Sequence, residues 1–247
     1  MTIRTIKIIA EYDGTNYHGW QRQKNILTIQ QLLEEAIGRV TGENVTVIGA
    51  GRTDAHVHAS NQSAHFKINS LIGTRNLIFG MNSLLPNDIV VKELKEVDEV
   101  FHARFDVKSK VYMYQIHNAP VRSALYRDYA WHVRAPLDLE KVEKCLPILR
   151  GTHDFSSFCS KKVGDVNCVR NIKDIYIKNK HPEQMRIFIE ADGFLRYMAR
   201  TIVGTMVEIG MGRRVPHDLC DILEARERGR AGITAPPQGL FLVEVKY

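Results

Sequence analysis

The spacing of apolar residues predicts an ordered series of elements in the first half of the chain. A strand is predicted over 6–12, where apolar residues dominate up to the turn signal Asp13-Gly14. The clearest element is a helix over 28–40, whose apolar stripe is Ile29, Leu32, Leu33, Ala36, Ile37 and Val40. Thr28 and Gln31 fit a capping box at its start, and Gly42 is placed to end it.

Further elements complete the first half. Short strands are predicted at 45–48 and 62–68, a helix at 71–84 that ends before Pro86, and a strand at 89–94. The order of elements in this half is therefore βαββαβ.

The second half follows the same order with weaker signals. Strands are predicted at 111–117, 172–177, 185–190 and 240–245, helices at 139–149 and 194–209, and an extra helical segment at 215–230. Two such halves, 1–105 and 106–247, predict an α+β fold built from two ferredoxin-like βαββαβ halves. We expect antiparallel sheets with the helices on one face and a central cleft that holds the active site.

The charge of the chain indicates a polyanionic partner. The net charge is +6 and the sequence pI is about 9.1, which favours nucleic acid or an anionic surface. Between residues 186 and 230 there are eight arginines and no lysine. Because arginine forms bidentate contacts with phosphate, this bias favours nucleic acid.

Cysteine usage and hydropathy predict a cytoplasmic protein. The four cysteines show no Cys-x-x-Cys spacing and are too sparse for a disulfide framework, so we expect reduced thiols. No apolar run reaches the roughly 18 residues that a membrane span needs, and no signal sequence follows Met1. We therefore expect a soluble protein without a membrane partner.

The segment 49–58 places small residues, a cation and an anion between two predicted strands. A glycine-rich turn with a surface contact between Arg52 and Asp54 is one interpretation. In a second interpretation, this segment is extended and the side chains on one of its faces bind a metal ion. The candidate ligands are Asp54, His56, His58 and His65. In a third, Asp54 is a nucleophile that an arginine elsewhere in the chain keeps ionised.

Candidate arginines lie on the helix predicted at 194–209. Arg196 and Arg200 are one turn apart there, a spacing at which like charges repel each other unless an anion lies beside them. They are therefore either partners of a carboxylate or phosphate, or solvated arginines at the edge of the apolar stripe.

Aromatic residues offer a surface for an unstacked base. Tyr112 and Tyr114 alternate in a predicted strand and share one sheet face, which is more often a core position. In a basic protein they are also a platform on which a flipped nucleotide can stack. The segment 12–23, which includes Gln21 and Arg22, carries amide and cationic groups that suit RNA.

Taken together, these segments resemble the bacterial tRNA pseudouridine synthase A family. The matching motifs follow one another along nearly the whole chain and are Glu11-Tyr12-Asp13-Gly14, Gly19-Trp20-Gln21-Arg22-Gln23, Gly51-Arg52-Thr53-Asp54-Ala55, Val57-His58, Phe101-His102-Ala103-Arg104-Phe105, Tyr112-Met113-Tyr114, Met198-Ala199-Arg200-Thr201-Ile202-Val203-Gly204 and Gly239-Leu240-Phe241-Leu242. Such an ordered set is far more specific than any one of its motifs.

The resemblance implies particular roles for three residues. Asp54 would be the nucleophile, Tyr112 would stack on the target uracil, and Arg200 would pair with the aspartate. The further RNA contacts are expected from Arg52, Arg22, Gln21, His58 and Arg196. The resemblance also implies a homodimer without cofactor or metal that converts uridines at positions 38 to 40, in the anticodon stem and loop of tRNA, to pseudouridine.

One position departs from the resemblance. The family pattern has glycine where this chain has His56, and glycine often marks a backbone angle that larger residues disfavour. Histidine can adopt the left-handed conformation at some cost, so we expect the loop to keep its fold while its RNA contacts change. A paralogue that modifies another RNA, such as rRNA, is the alternative within the family. A non-catalytic RNA-binding protein is the alternative outside it.

Overall fold

The computed structural model describes residues 3–160, 167–181 and 183–247. Their helices and strands are, in chain order, β1 (Arg4–Tyr12), α1 (Ile29–Thr41), β2 (Ile48–Gly49), β3 (His58–Ile68), α2 (Thr74–Leu84), β4 (Ile89–Val97), β5 (Ser109–Asn118), β6 (Trp131–Val133), α3 (Leu139–Leu149), β7 (Gly151–Asp154), β8 (Val169–His181), β9 (Gln184–Ala191), α4 (Met198–Gly210), α5 (Asp218–Ala225) and β10 (Leu240–Lys246). The chain divides into two units, one of Met1–Lys108 with Phe241–Tyr247 and one of Ser109–Leu240.

In the first unit, β1 lies between β3 and β4 and pairs antiparallel with both. Ile6 and Ile8 on β1 are fully buried, as expected for the alternate residues of a strand with one covered face. β2 and β10 pair with different ends of β3, β2 antiparallel and β10 parallel. The loop between β2 and β3 therefore starts and ends on the same sheet.

Helix α1 buries most of its predicted apolar stripe and ends at Gly42, which adopts the left-handed conformation with φ 76°. The predicted capping box is wrong, because Thr28 makes no side-chain capping bond. The first helical N–H groups have other acceptors. Ile29 donates to the main-chain oxygen of Gly19 at 3.2 Å, and Gln30 donates to that of Trp20 at 3.0 Å. The helix start is thus capped by the preceding loop rather than by its own side chain.

In the second unit, β5, β9, β8 and β7 pair in that order, and each pair is antiparallel. β6 pairs in parallel with β5. Helix α3 begins at Leu139 as predicted, and the Asp138 carboxylate caps it by accepting the N–H of Lys141. Helix α4 is buried on nearly all sides, including Thr201 and Thr205, which marks it as the core helix of this unit.

The predicted α+β class is confirmed, although several details differ. The sheets are mixed rather than purely antiparallel, because β10 and β6 form parallel pairs. Helix α4 begins at Met198 instead of residue 194, because Tyr197 takes the left-handed conformation directly before it. The first unit extends to Lys108 and also includes the C-terminal residues Phe241–Tyr247, whereas the sequence predicts a single division after residue 105. Within the described ranges, no helix is long and apolar enough to cross a bilayer.

Candidate active-site loop and its supporting residues

The Asp54 loop comprises residues 50–57, between β2 and β3. Its first residues are tied to β3. Ala50 donates its N–H to the main-chain oxygen of Ser63 at 2.8 Å, and Gln62 Nε2 donates to that of Gly51 at 3.0 Å. Because the Gln62 side chain is buried, this bond is shielded from competition with water.

Thr53, which directly precedes Asp54, is fixed through its side chain and its backbone. Its hydroxyl forms a 2.9 Å hydrogen bond with Tyr12 Oη, and both side chains are buried. Burial raises the pKa of Tyr12 far above its ordinary value, so the phenol stays protonated. The main-chain oxygen of Thr53 accepts the N–H of Trp20 at 3.1 Å.

The backbone of a second loop, residues 13–20, packs directly against the Asp54 loop. Gly19 has φ 87°, and a Cβ atom there would lie 2.5 Å from the main-chain oxygen of Thr53. Nearby, His56 donates its N–H to the main-chain oxygen of Tyr17 at 3.1 Å. Glycine meets both requirements at position 19, the positive φ and the close approach of two backbones.

Asp54 itself is half-buried at the centre of this loop. Its main-chain oxygen accepts the N–H of Val57 at 3.2 Å, which closes a tight turn. Arg52, two residues earlier, is exposed. Since the residues on both sides of Asp54 are anchored, its carboxylate is carried on a backbone with little freedom, as a precisely oriented nucleophile needs.

His56 occupies the left-handed region with φ 63°, as we expected for a histidine at this position. Its Nδ1 lies 2.7 Å from the main-chain oxygen of Thr15. Because a carbonyl oxygen only accepts, Nδ1 carries the proton. This bond, together with that of the His56 N–H, helps to offset the backbone strain, while the side chain remains exposed.

His58 supports the loop from within the fold. It is only 1% exposed, its Nδ1 accepts the N–H of Gly14 at 3.0 Å, and its ring stacks on Phe241 with centroids 4.6 Å apart. This burial suits a structural role better than the RNA contact that we predicted. His65, the third histidine of the metal interpretation, accepts the N–H of Ala103 through its Nδ1 at 3.1 Å. Within the described part of the chain, no group of His, Cys, Asp and Glu side chains is arranged to hold a metal ion.

Gln21 and Arg22 are attached to helix α1 by a buried polar network. Gln30 Oε1 accepts Gln21 Nε2 at 2.8 Å and the Arg22 N–H at 2.9 Å. Arg22 Nη1 pairs at 2.8 Å with Glu34, whose carboxylate also accepts the N–H of Val47. The Arg22 side chain is still 53% exposed, so its guanidinium is oriented by the fold and remains accessible to an anion.

In the second unit, both predicted tyrosines are buried, Tyr114 with 1% of its surface exposed and Tyr112 with 7%. Tyr114 is a core residue whose hydroxyl donates to the main-chain oxygen of Pro236 at 2.7 Å. Tyr112 packs edge-to-face against Phe194 with centroids 4.7 Å apart. Phe194 belongs to the segment that leads into α4; Arg196 lies in this segment, and Arg200 lies on α4 itself.

Arg200 lies in the first turn of α4 and is held by the 233–236 segment. Its Nε donates to the main-chain oxygen of Ala235 at 2.8 Å, and its own main-chain oxygen accepts the Ala235 N–H at 3.1 Å. The guanidinium also lies over the ring of Tyr197, with Cζ 5.1 Å from the centroid.

Arg196 precedes α4, so the prediction that Arg196 and Arg200 are one helical turn apart is wrong. The left-handed conformation of Tyr197 redirects the chain between them. Arg196 is exposed, and its Nη2 donates to Tyr197 Oη at 3.0 Å.

Several supporting residues were not identified from the sequence. Gln62 and Phe194 have no pattern that distinguishes them from ordinary strand and loop residues. Tyr12 lies in a matching motif, but its hydrogen bond to Thr53 was not predicted. Gly19 was a usable signal, because a glycine can mark a site where another backbone approaches closely.

Comparison with known proteins gives a consistent result. A family model described as tRNA pseudouridine synthase matches residues 8–106 and 147–247. Proteins named tRNA pseudouridine synthase A from Thermoanaerobacter sp. (strain X514) and Acetivibrio thermocellus are each 46% identical to this chain over 245 residues. One from Brevibacillus brevis is 43% identical over the same length. Each alignment covers 99% of this chain and 100% of the relative.

Proposed function

This chain belongs to the tRNA pseudouridine synthase A family, which makes it an isomerase that forms pseudouridine in tRNA, and we propose that Asp54 is the nucleophile of that reaction. The observation that carries this proposal is the anchoring of the Asp54 loop. Its backbone is bonded to β3 and to the 13–20 loop on both sides of the aspartate. A carboxylate held in this way can meet a substrate without first losing conformational freedom.

The chemistry of the isomerisation requires a held intermediate but no second reactant. The C1′–N1 bond of uridine breaks and a C1′–C5 bond forms, while the proton on C5 leaves and N1 takes up a proton. The composition of the nucleotide is unchanged, so the reaction balances without a cofactor, oxidant or reductant. A covalent bond to Asp54 would prevent the intermediate from separating while the uracil turns.

We assign supporting roles to Tyr112 and Arg200. The Tyr112 ring is restrained by Phe194, as suits an aromatic surface that stacks on the target uracil and assists removal of the C5 proton. Arg200 has a positive charge in a partly buried position, as suits the partner of a catalytic carboxylate. Arg52, Arg22, Gln21 and Arg196 are proposed to contact RNA, with His58 as support for the loop.

We propose the anticodon stem and loop of tRNA as the target and a homodimer as the working form. Both proposals extend the family resemblance to this chain. The excess of arginine between residues 186 and 230 supports an extended contact with RNA phosphates. A tRNA substrate places the reaction in the cytoplasm.

Release of tritium from C5 of uridine tests the role of Asp54. With a tRNA transcript labelled at C5, the wild-type protein should release tritium and Asp54→Asn should be slower by about 10³-fold or more. Asp221→Asn is the matched control, because it changes an exposed aspartate on α5 by the same charge. Unchanged turnover by Asp54→Asn would refute the assignment.

Mapping of pseudouridine tests the target. In RNA from cells with and without this protein, loss at anticodon-arm positions of tRNA supports the proposed substrate. His56 is the residue that favours a paralogue with a different RNA choice, and loss confined to rRNA would support that alternative. RNA binding without loss of pseudouridine from any RNA would support a non-catalytic protein.

A further inference from the structure

Two arginine side chains lie over one tyrosine ring at the start of α4. Cζ of Arg196 is 4.8 Å from the centroid of the Tyr197 ring, and Cζ of Arg200 is 5.1 Å from the same centroid. The Tyr197 hydroxyl also accepts a hydrogen bond from Arg196 Nη2 at 3.0 Å. The face of an aromatic ring attracts cations, so this ring offsets the repulsion between two neighbouring guanidinium groups.

Tyr197 reaches this position through an unfavourable backbone conformation. It has φ 67° and ψ 0° at the N-cap of α4, and it makes no side-chain capping bond. Its main-chain oxygen accepts the N–H of Thr201 at 2.9 Å, so the helix starts directly after it. A small capping side chain would stabilise this helix start better. A bulky residue kept in such a conformation is a reason to look for a function of its side chain.

Arg200 is restrained from two directions. The main-chain oxygen of Ala235 accepts its Nε at 2.8 Å, and the ring of Tyr197 lies against its guanidinium. The carbonyl holds one nitrogen, and the ring limits how the guanidinium plane can turn about it. Loss of the ring would remove one of these two restraints on the guanidinium.

We propose that Tyr197 is a positioning residue that orients Arg200 for the reaction and holds Arg196 for an RNA phosphate. The first part rests on the role proposed above for Arg200. Arg200 acts in the chemical step, whereas the exposed Arg196 acts in binding. The two contributions of Tyr197 therefore separate in kinetics, the ring contributing to turnover and the hydroxyl to affinity for RNA.

Tyr197→Asn and Tyr197→Phe distinguish these contributions. Asparagine tolerates the left-handed conformation, so Tyr197→Asn removes the ring without adding backbone strain. Its single-turnover rate at saturating enzyme should fall about tenfold, the size of a partly shielded cation–π contact. Tyr197→Phe keeps the ring and should recover the rate to within about twofold, while its affinity for tRNA falls because Arg196 loses its acceptor.

A double-mutant cycle tests whether Tyr197 acts through Arg200. In an Arg200→Lys background, Tyr197→Asn should slow the reaction far less than it slows the wild-type protein. Tyr176→Asn is the control, because Tyr176 also has a cation over its ring, Lys178 Nζ at 5.2 Å, and lies on β8. This control should leave the single-turnover rate unchanged. Equal, additive effects of Tyr197→Asn in both backgrounds would mean a general structural role and would overturn the inference.

The outcomes also separate this inference from the proposed function. Full turnover by Arg200→Lys would contradict the role of Arg200 itself. If Arg200→Lys is slow but Tyr197→Asn turns over at the wild-type rate, only the positioning role of Tyr197 is overturned. Thermal unfolding reports whether each variant is folded, and Tyr197→Gly, which also accepts a positive φ, replaces Tyr197→Asn if that variant is unfolded. A folded Tyr197→Phe as slow as Tyr197→Asn would likewise overturn the role of the ring.

Discussion

Positive φ angles occur at or beside two of the segments that carry candidate catalytic groups, those of Asp54 and Arg200. Gly19 has a positive φ where it packs against the Asp54 loop, His56 has one within that loop, and Tyr197 has one close to Arg200. At position 56 the family pattern has glycine where this chain has histidine, and this difference predicted a positive φ. At Tyr197 nothing in the sequence did, because tyrosine is rarely left-handed and the residue lies within a helical pattern. Single-residue geometry is therefore where sequence reasoning about this site was least complete.

Gly19 should tolerate substitution poorly. In Gly19→Ala the new methyl group would meet the main-chain oxygen of Thr53 at a residue with φ 87°, so the loops must separate. We expect a loss of at least about 2 kcal/mol in the free energy of unfolding and a slower chemical step. Gly73→Ala is the matched control, since a Cβ there meets nothing within 4 Å. Equal unfolding free energies for the two variants, measured in urea, would contradict this prediction.

Elements with a strong local pattern were predicted well, whereas those defined by pairing were not. Helix α3 has the predicted bounds, and α1 differs by one residue at each end, because their apolar stripes repeat at the helical period. β6 and β7 were missed because three or four residues carry too little periodicity, and their partners β5 and β8 define them. The Asp54 loop was predicted from its small residues, but the buried groups that hold it, such as Gln62, become apparent only through strand pairing.

We expect His65 on strand β3 to make the free energy of unfolding depend on pH. Burial, and then the neighbouring His102 and Lys67, lower the pKa of His65 below 6.5, with Asp106 acting in the opposite direction. The unfolded chain then binds the proton more readily than the folded chain. The contribution of neutral His65 to the free energy of unfolding is complete above about pH 6.5, the pKa in the unfolded chain. It is lost as the pH falls through the lower pKa that His65 has in the folded protein. His65→Asn should be less stable at neutral pH but should lose less on acidification, as followed by urea unfolding between about pH 4 and 7. An unchanged pH dependence in this variant would exclude His65 as the cause.

At the scale of the whole molecule, the order of elements was easier to predict than their assignment to units. The βαββαβ order of the first half could be predicted from local patterns, since each of its elements has a periodicity of its own. The return of the chain to the first unit at Phe241 could not, because a parallel pairing between β10 and β3 joins segments far apart in sequence. This pairing also places Phe241 against His58, so the end of the chain supports the Asp54 loop.

The last residue of that returning segment, Tyr247, tests whether the end of the chain stabilises the first unit specifically. Its hydroxyl donates to the main-chain oxygen of Ala103 at 2.9 Å and lies 2.7 Å from Ser63 Oγ, and Lys7 Nζ lies 4.1 Å from the centre of its ring. Tyr247→Phe keeps the ring but leaves the Ala103 oxygen without this donor, which should cost about 1–2 kcal/mol. Hydrogen exchange should then become faster at the amides of β1 and β3 and remain unchanged at those of β8 and β9. Equal acceleration in both units would instead mean that they unfold as one cooperative body, and Tyr247 would then contribute to global rather than local stability.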